Sequence, residues 1–150
     1  MVLVVDDHAP MRTLCRVTLE DAGFEVVEAA DGEEALQAVS ERRPDAILLD
    51  IMMPRVSGWD VAATLLSDRS TDKIPIIFIT ALATARDQLR AFELGARAYL
   101  TKPFDPTVIP STVTRVLDQI DRGERDPDLA ETITNLRLEL EKTKEALDPA

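Results

Sequence analysis

The chain has 150 residues, 45% of them hydrophobic and 30% charged, a length that suits one domain with a short appendage and a composition too apolar for a disordered chain. Lysine and arginine number 17 against 28 aspartates and glutamates, and the resulting formal charge of −11 repels phosphate backbones and anionic lipid, so direct nucleic-acid or membrane binding is not expected. Cys15 is the only cysteine, which excludes an internal disulfide and a cysteine-rich zinc site and marks it as a core residue.

Short β-branched runs alternate with segments of helical period. Met1–Val5 reads as a first strand, stopped by Asp6-Asp7. Met11, Leu14, Cys15, Thr18, Leu19 and Ala22 then follow the i, i+3, i+4, i+7 rule of a helix, and Gly23 supplies its stop. Glu25–Glu28 is the second strand. Asp31 caps a helix whose opening Glu33 and Glu34 suit the positive end of its dipole, with Pro44 just after its end. Ala46–Leu49 is a third strand ending at Asp50, and Gly58–Leu66 a helix. Ile74–Ile79 is a fourth strand ending at Thr80, followed by a helix over Ala83–Glu93 with Gly95 as its stop. Ala98–Leu100 is the fifth, with Lys102 beyond it, and Pro106–Asp121 the last helix of the series. The first, third and fourth strands are almost continuously apolar, as strands covered on both faces are.

Five strands each followed by a helix imply right-handed crossovers and a doubly wound α/β fold with a five-stranded parallel sheet. The functional crevice of such a sheet lies at the carboxyl ends of its strands, where the apolar runs here give way to Asp6, Asp7, Asp50, Thr80 and Lys102. Residues 1–122 form this domain, and residues 123–150 a polar linker and a separate helix. Asp126 caps that helix with Pro127 at its first position. Its Leu129, Ile133, Leu136, Leu140, Thr143 and Leu147 step by four and three in alternation, a heptad seam that suits a short dimerising coiled coil or packing back on the domain. The longest apolar stretch, Ile74 to Ala83, is shorter than the roughly 18–20 residues of a membrane span. The N-terminus lacks the basic flank of a signal peptide, and a cytoplasmic location is expected.

Three carboxylates converging at a sheet edge with one lysine and one hydroxyl repel unless a cation neutralises them. Oxygen ligands alone favour a hard ion, and Mg²⁺ takes one or two carboxylates plus waters and a phosphate. Asp7 and Asp50 are its expected direct ligands, Asp6 binds directly or through water, and the backbone carbonyl of Met52 completes the protein share. Asp50 is the candidate nucleophile, since a carboxylate accepts a phosphoryl group as an acyl phosphate. The metal, Lys102 and Thr80 would hold the phosphoryl oxygens.

These residues resemble the receiver domains of two-component response regulators. The acidic pair stands in Val-Val-Asp6-Asp7, the acceptor segment is Asp50-Ile-Met-Met-Pro54-Arg-Val-Ser-Gly58, Ile-Thr80-Ala81 matches the hydroxyl followed by a small residue, and Gly95-Ala-Arg-Ala-Tyr99-Leu-Thr-Lys102-Pro103-Phe104 matches the closing motif. The resemblance covers about residues 1–122. It implies a chemotaxis-regulator-like, flavodoxin-like fold. It also implies a phosphoacceptor that takes its phosphoryl group from a sensor histidine kinase or a histidine phosphotransfer protein onto Asp50 with Mg²⁺, and passes the signal to a downstream protein target or output domain. The resemblance further assigns phosphoryl binding to Thr80, the Ala81 backbone and Lys102, a switch role to Thr80 and Tyr99, and a cis Lys102-Pro103 bond. It makes Met52 and Leu82 the two variable positions that look over the acceptor.

Taken singly, these features have plainer meanings. Asp6-Asp7 serves as a helix cap, Tyr99 packs as readily as it switches, His8 is a solvated loop residue, and Met52 and Met53 fill space. The chemistry is self-phosphorylation and self-dephosphorylation rather than enzymatic turnover. A metal-dependent phosphatase or phosphotransferase with an aspartyl nucleophile shares that chemistry, but Met52 occupies the place of its second acid and the chain has no insertion for a substrate cap. A non-phosphorylated receiver used as a scaffold conflicts with the complete set of site residues. From Gly123 on, four basic against eight acidic residues argue against DNA contact, and the tail is too short for a winged-helix or cyclase output. The chain therefore reads as a stand-alone receiver or the front of a longer regulator.

Overall fold

The structure, a computed structural model, describes residues 1–124 and 126–147. Strands β1 (Val2–Val5), β2 (Val26–Ala29), β3 (Ala46–Leu49), β4 (Ile76–Thr80) and β5 (Ala98–Thr101) alternate with helices α1 (Ala9–Asp21), α2 (Gly32–Glu41), α3 (Gly58–Leu66), α4 (Ala85–Leu94) and α5 (Val108–Asp121), and α6 (Leu129–Leu147) follows. The sheet is parallel throughout, in the order β2-β1-β3-β4-β5. Strand order reverses between β1 and β3, which opens a crevice at their carboxyl ends.

The apolar strands are the interior ones: every residue of β1, β3 and β4 is buried, whereas β2 and β5 sit at the edges and are partly exposed. Side chains alternate to two cores. Leu3, Val5, Ile47, Leu49, Ile76 and Phe78 meet α2, α3 and α4, while Val2, Val4, Leu48, Ile77 and Ile79 meet Cys15 and Leu19 of α1 and Ile109, Val113 and Val116 of α5. In the first core an aromatic cluster forms around Phe78, whose ring lies 5.3 Å from Trp59 and 6.3 Å from Tyr99, with Phe92 of α4 6.4 Å from Tyr99. The Arg90 guanidinium lies 4.2 Å above the Trp59 ring, within cation–π range.

Element boundaries differ from the sequence expectation where a local bond intervenes. Pro75 has no N–H and Ile74 closes a turn onto Thr71, so β4 starts at Ile76. Helix α4 starts at Ala85 because the Thr84 hydroxyl caps it, accepting from the Asp87 N–H at 3.2 Å. Helix α5 starts at Val108, after Asp105 has accepted from the Thr107 N–H at 3.0 Å in a turn containing Pro106.

Helix α4 is thinly anchored: Ala91 is its only buried residue, against four in each of α3 and α5. Its outer side is instead met by α6, and among the described residues no other pair of helices packs as extensively. The heptad seam is thus occupied within the chain, with Leu136 only 7% exposed and Leu129, Ile133 and Leu140 half-buried, while Leu138, off the seam, is 50% exposed. A coiled coil with a second chain would need these same side chains. Of the seam residues, Leu147 has a side chain outside the described set. Full burial of a leucine is worth about 1.5–3 kcal/mol. The exposed Arg137–Glu93 pair at 3.0 Å contributes about 0–1 kcal/mol, so the apolar seam dominates the docking. Among the described residues no helix is long and apolar enough to cross a membrane.

Cys15 lies wholly inside the second core, and burial, reinforced by the charge of Asp6 and opposed by Lys102, pushes its thiol up to about 11. Against the ordinary thiol value of 9.0, Cys15 holds roughly a hundredfold less thiolate at neutral pH even before its inaccessibility counts. Iodoacetamide near pH 8 should label the native protein at least about a hundredfold more slowly than the urea-unfolded chain. Equal rates by mass spectrometry would show that the α1 core opens freely.

Candidate functional site

Asp6, Asp50 and Lys102 each lie one residue past a strand and Thr80 at the last position of its own, on backbone still tied into the ladder. The Asp6 N–H donates to the Ala29 carbonyl at 3.2 Å, the Asp50 N–H to the Val5 carbonyl at 3.0 Å, and the Lys102 N–H to the Thr80 carbonyl at 2.8 Å. The site is therefore mounted on rigid strands although its residues span much of the chain. The Lys102-Pro103 bond is cis, as the resemblance implies.

Lys102 reaches across two strands. Its ammonium donates to Asp6 Oδ2 at 2.8 Å and to Asp50 Oδ2 at 3.2 Å. Asp6 is fully buried and Asp50 nearly so. The remaining oxygens take backbone donors: Asp6 Oδ1 accepts from the His8 N–H at 2.9 Å, and Asp50 Oδ1 from the Met52 N–H at 3.2 Å. Burial holds the Asp50 carboxyl above its ordinary range, with the Asp6 charge adding to the effect and Lys102 opposing it. Burial also works against the Lys102 charge, but the hydrogen bond to Asp6 and the attraction of both carboxylates more than offset it and raise its pKa.

Asp7 is exposed beside this pair, and one carboxylate oxygen from each of Asp6, Asp7 and Asp50 falls within 4.8 Å of the others. Three carboxylates against one ammonium leave a formal charge of −2, which a divalent cation with a taste for oxygen would balance. Thr80 is buried at the end of β4, and its Oγ1 accepts from the Leu82 N–H at 3.3 Å. The Tyr99 ring packs in the aromatic cluster, and its hydroxyl donates to the Leu82 carbonyl at 2.7 Å. Burial, with the charges of Asp87 and Asp50, pushes that phenol up to about 12, so it remains a donor. Ala81 is exposed next to Thr80, and Met52 is 58% exposed in the loop after Asp50, whereas Met53 is buried in the core. His8 is exposed at the N-cap of α1 and its side chain makes no cap bond.

Sequence reasoning missed three supports. Arg12, on the first turns of α1, donates to the Asp6 carbonyl at 2.8 Å and pairs with Glu28 at 3.5 Å; no local pattern announces it. A Cβ on Gly58 would lie 2.7 Å from the Cα of Ile51, because the start of α3 presses on the loop after Asp50 while the Gly58 N–H donates to the Ile51 carbonyl at 2.9 Å. A Cβ on Gly32 would lie 2.6 Å from Val56 Cγ1. Between these two glycines the loop after Asp50 is clamped, and Arg55 within it adopts a positive φ of 66°. Only the spacing of Asp50 and Gly58 in the quoted motif hinted at this.

The response regulator receiver domain model matches residues 2–114. The chain belongs to the response regulator receiver family. The receiver is 39% identical over 125 residues to the phosphate regulon transcriptional regulatory protein PhoB of Pseudomonas aeruginosa, covering 83% of this chain and 55% of that one. It is 37% identical over 121 residues to the DNA-binding dual master transcriptional regulator RpaA of a Synechocystis species, covering 81% and 49%. The chain thus spans about half the length of these curated relatives. Among solved structures, the Vibrio cholerae chemotaxis protein CheY4 superposes with a TM-score of 0.72 at 35% identity, over 77% of this chain and 96% of that one. The five-stranded doubly wound fold expected from the sequence is the fold of the receiver.

The clamp makes Gly58→Ala a sensitive change in the receiver. Forcing a methyl against the loop after Asp50 should cost about 1–3 kcal/mol, read as a lower urea midpoint. Wild-type stability in that variant would show that the loop yields without cost.

Proposed function

We propose that Asp50 is the phosphoacceptor of this receiver, and that the chain is a signalling switch rather than a turnover enzyme. The observation that carries this reading is the Lys102 ammonium shared between Asp6 and Asp50 with Asp7 alongside. An Oδ of Asp50 attacks the phosphorus of a phosphohistidine on a sensor kinase or phosphotransfer protein. The new P–O bond forms as the P–N bond breaks, and the electron pair stays on the departing ring nitrogen. Lys102 neutralises the oxygen charge that Asp50 brings and then holds one phosphoryl oxygen, the Thr80 hydroxyl turns from Leu82 to donate to a second, and the Ala81 N–H adds a donor. Asp6, Asp7, Asp50 and the Met52 carbonyl suit a bound Mg²⁺, which supplies further positive charge to the transferring group.

The product signal is a change in the face formed by α4, β5 and α5, since Thr80 and Tyr99 both hold the Leu82 segment that leads into α4. The downstream partner is a protein target or an output domain, met in the cytoplasm. A homodimer through α6 requires its seam to leave α4.

Asp50→Asn preserves shape but removes the nucleophile, so incubation with acetyl phosphate and Mg²⁺ should add one phosphoryl mass to the wild type and none to the variant. Modification of both at the same rate would place the acceptor elsewhere. Asp7→Asn should weaken the Mg²⁺ requirement's apparent affinity without abolishing modification at high Mg²⁺.

Met52 and Leu82 carry no group to align a water against the aspartyl phosphate and cover it with apolar bulk. Replacing them together by Asn and Glu, Met52→Asn with Leu82→Glu, should speed phosphate loss roughly tenfold, about 1.4 kcal/mol of barrier. Unchanged decay in the phosphorylated double variant would assign the lifetime to the metal and Lys102 alone.

A further inference from the structure

Helix α6 lies antiparallel along α4. Leu129 shares a cavity with Phe92 and Gly95 at the far end of α4, whereas Leu140, Thr143 and Lys144 share one with Thr84, Ala85 and Arg86 at its start. The helix that α6 covers is the one least held by the sheet, with Ala91 alone buried. Elements with few buried contacts open at low free-energy cost. Helix α6 therefore supplies apolar cover to the outer side of α4.

A continuous set of contacts links this cover to the acceptor. Thr80 Oγ1 is bound by the Leu82 N–H, the Leu82 carbonyl is bound by the Tyr99 hydroxyl, the Tyr99 ring faces Phe92 of α4, and Phe92 shares its cavity with Leu129 of α6. Drawing the Thr80 hydroxyl toward a group on Asp50 breaks the first of these bonds. The Leu82 segment then moves with respect to Tyr99, and α4 with respect to the helix that leans on it.

We infer that α6 is a built-in cover for the α4 face, docked while Asp50 is unmodified and loosened when Asp50 carries a phosphoryl group, so that one event exposes both α4 and the Leu129, Ile133, Leu136, Leu140 seam. The inference rests on the phosphoacceptor reading of Asp50. It differs from a fixed structural helix, whose docking does not depend on the state of the acceptor. By linkage, whatever factor modification of Asp50 takes from α6 docking, docked α6 takes the same factor from the modification of Asp50.

Amide hydrogen exchange on the full chain tests it, with intact mass recorded on the same samples. On treatment with acetyl phosphate and Mg²⁺, peptides within residues 129–144 and 85–94 should exchange about tenfold faster, while β1 and β3 keep their protection. Leu136→Asp, which places a charge in the docked seam, should show fast α6 exchange before any treatment and no further gain after it, with Asp50 modified at least as readily as in the wild type. Added mass with unchanged α6 exchange would overturn the cover and leave the acceptor reading intact. Protected α6 in the Leu136→Asp variant would overturn it as well, since the seam would then not hold the helix. No added mass in the wild type would reject the acceptor reading itself, and the coupling with it.

Discussion

Much of this molecule is organised around a concentration of negative charge that one ammonium only partly balances. Lys102 arrives from the end of β5 and lies between Asp6 at the end of β1 and Asp50 at the end of β3. Three strands must therefore finish at the same level for the pair to be made. Parallel register and continuous apolar strands provide that alignment, and the backbone bonds just past each strand carry it to the functional residues. Burying two acids beside each other costs free energy unless each oxygen finds a donor. Here Lys102, the His8 N–H and the Met52 N–H provide them, and among the described residues no buried side-chain nitrogen or oxygen lacks a partner.

A second constraint is steric. The loop that carries Asp50 cannot wander, because α3 begins hard against it at Gly58 and α2 begins hard against Val56 at Gly32. On the other side of Asp50 the segment after Thr80 is held by two hydrogen bonds at Leu82, whose N–H donates to Thr80 Oγ1 and whose carbonyl accepts from the Tyr99 hydroxyl. Asp50 thus has a stiff wall and a yielding one. The yielding wall leads into α4, which has little sheet contact of its own.

The fold was readable because burial on both faces leaves a plain mark: Val2–Val5, Ala46–Leu49 and Ile76–Thr80 are apolar without alternation and stop at Asp6, Asp50 or Thr80. The site residues stood out for the same reason, as the polar ends of apolar runs. Contacts between distant segments left no such mark. Nothing near Arg12 in sequence signals that it binds the Asp6 carbonyl, and Gly32 reads as a first helical residue until Val56 is found against it. The seam of α6 shows that the helix has a partner, but its period is the same whether the partner is a second chain or α4. Small errors at the ends of β4, α4 and α5 came from Pro75, Thr84 and Asp105, each of which redirects one backbone bond.

The contact between Arg90 and Trp59 has a spectroscopic meaning. The chain holds one tryptophan, set on α3, with a guanidinium from α4 above its ring. A cation over an indole face shifts the energy of its excited state through the local electric field. The intrinsic emission of this protein is therefore an optical gauge of the spacing between one well-anchored helix and the thinly anchored helix beside it, present without any label.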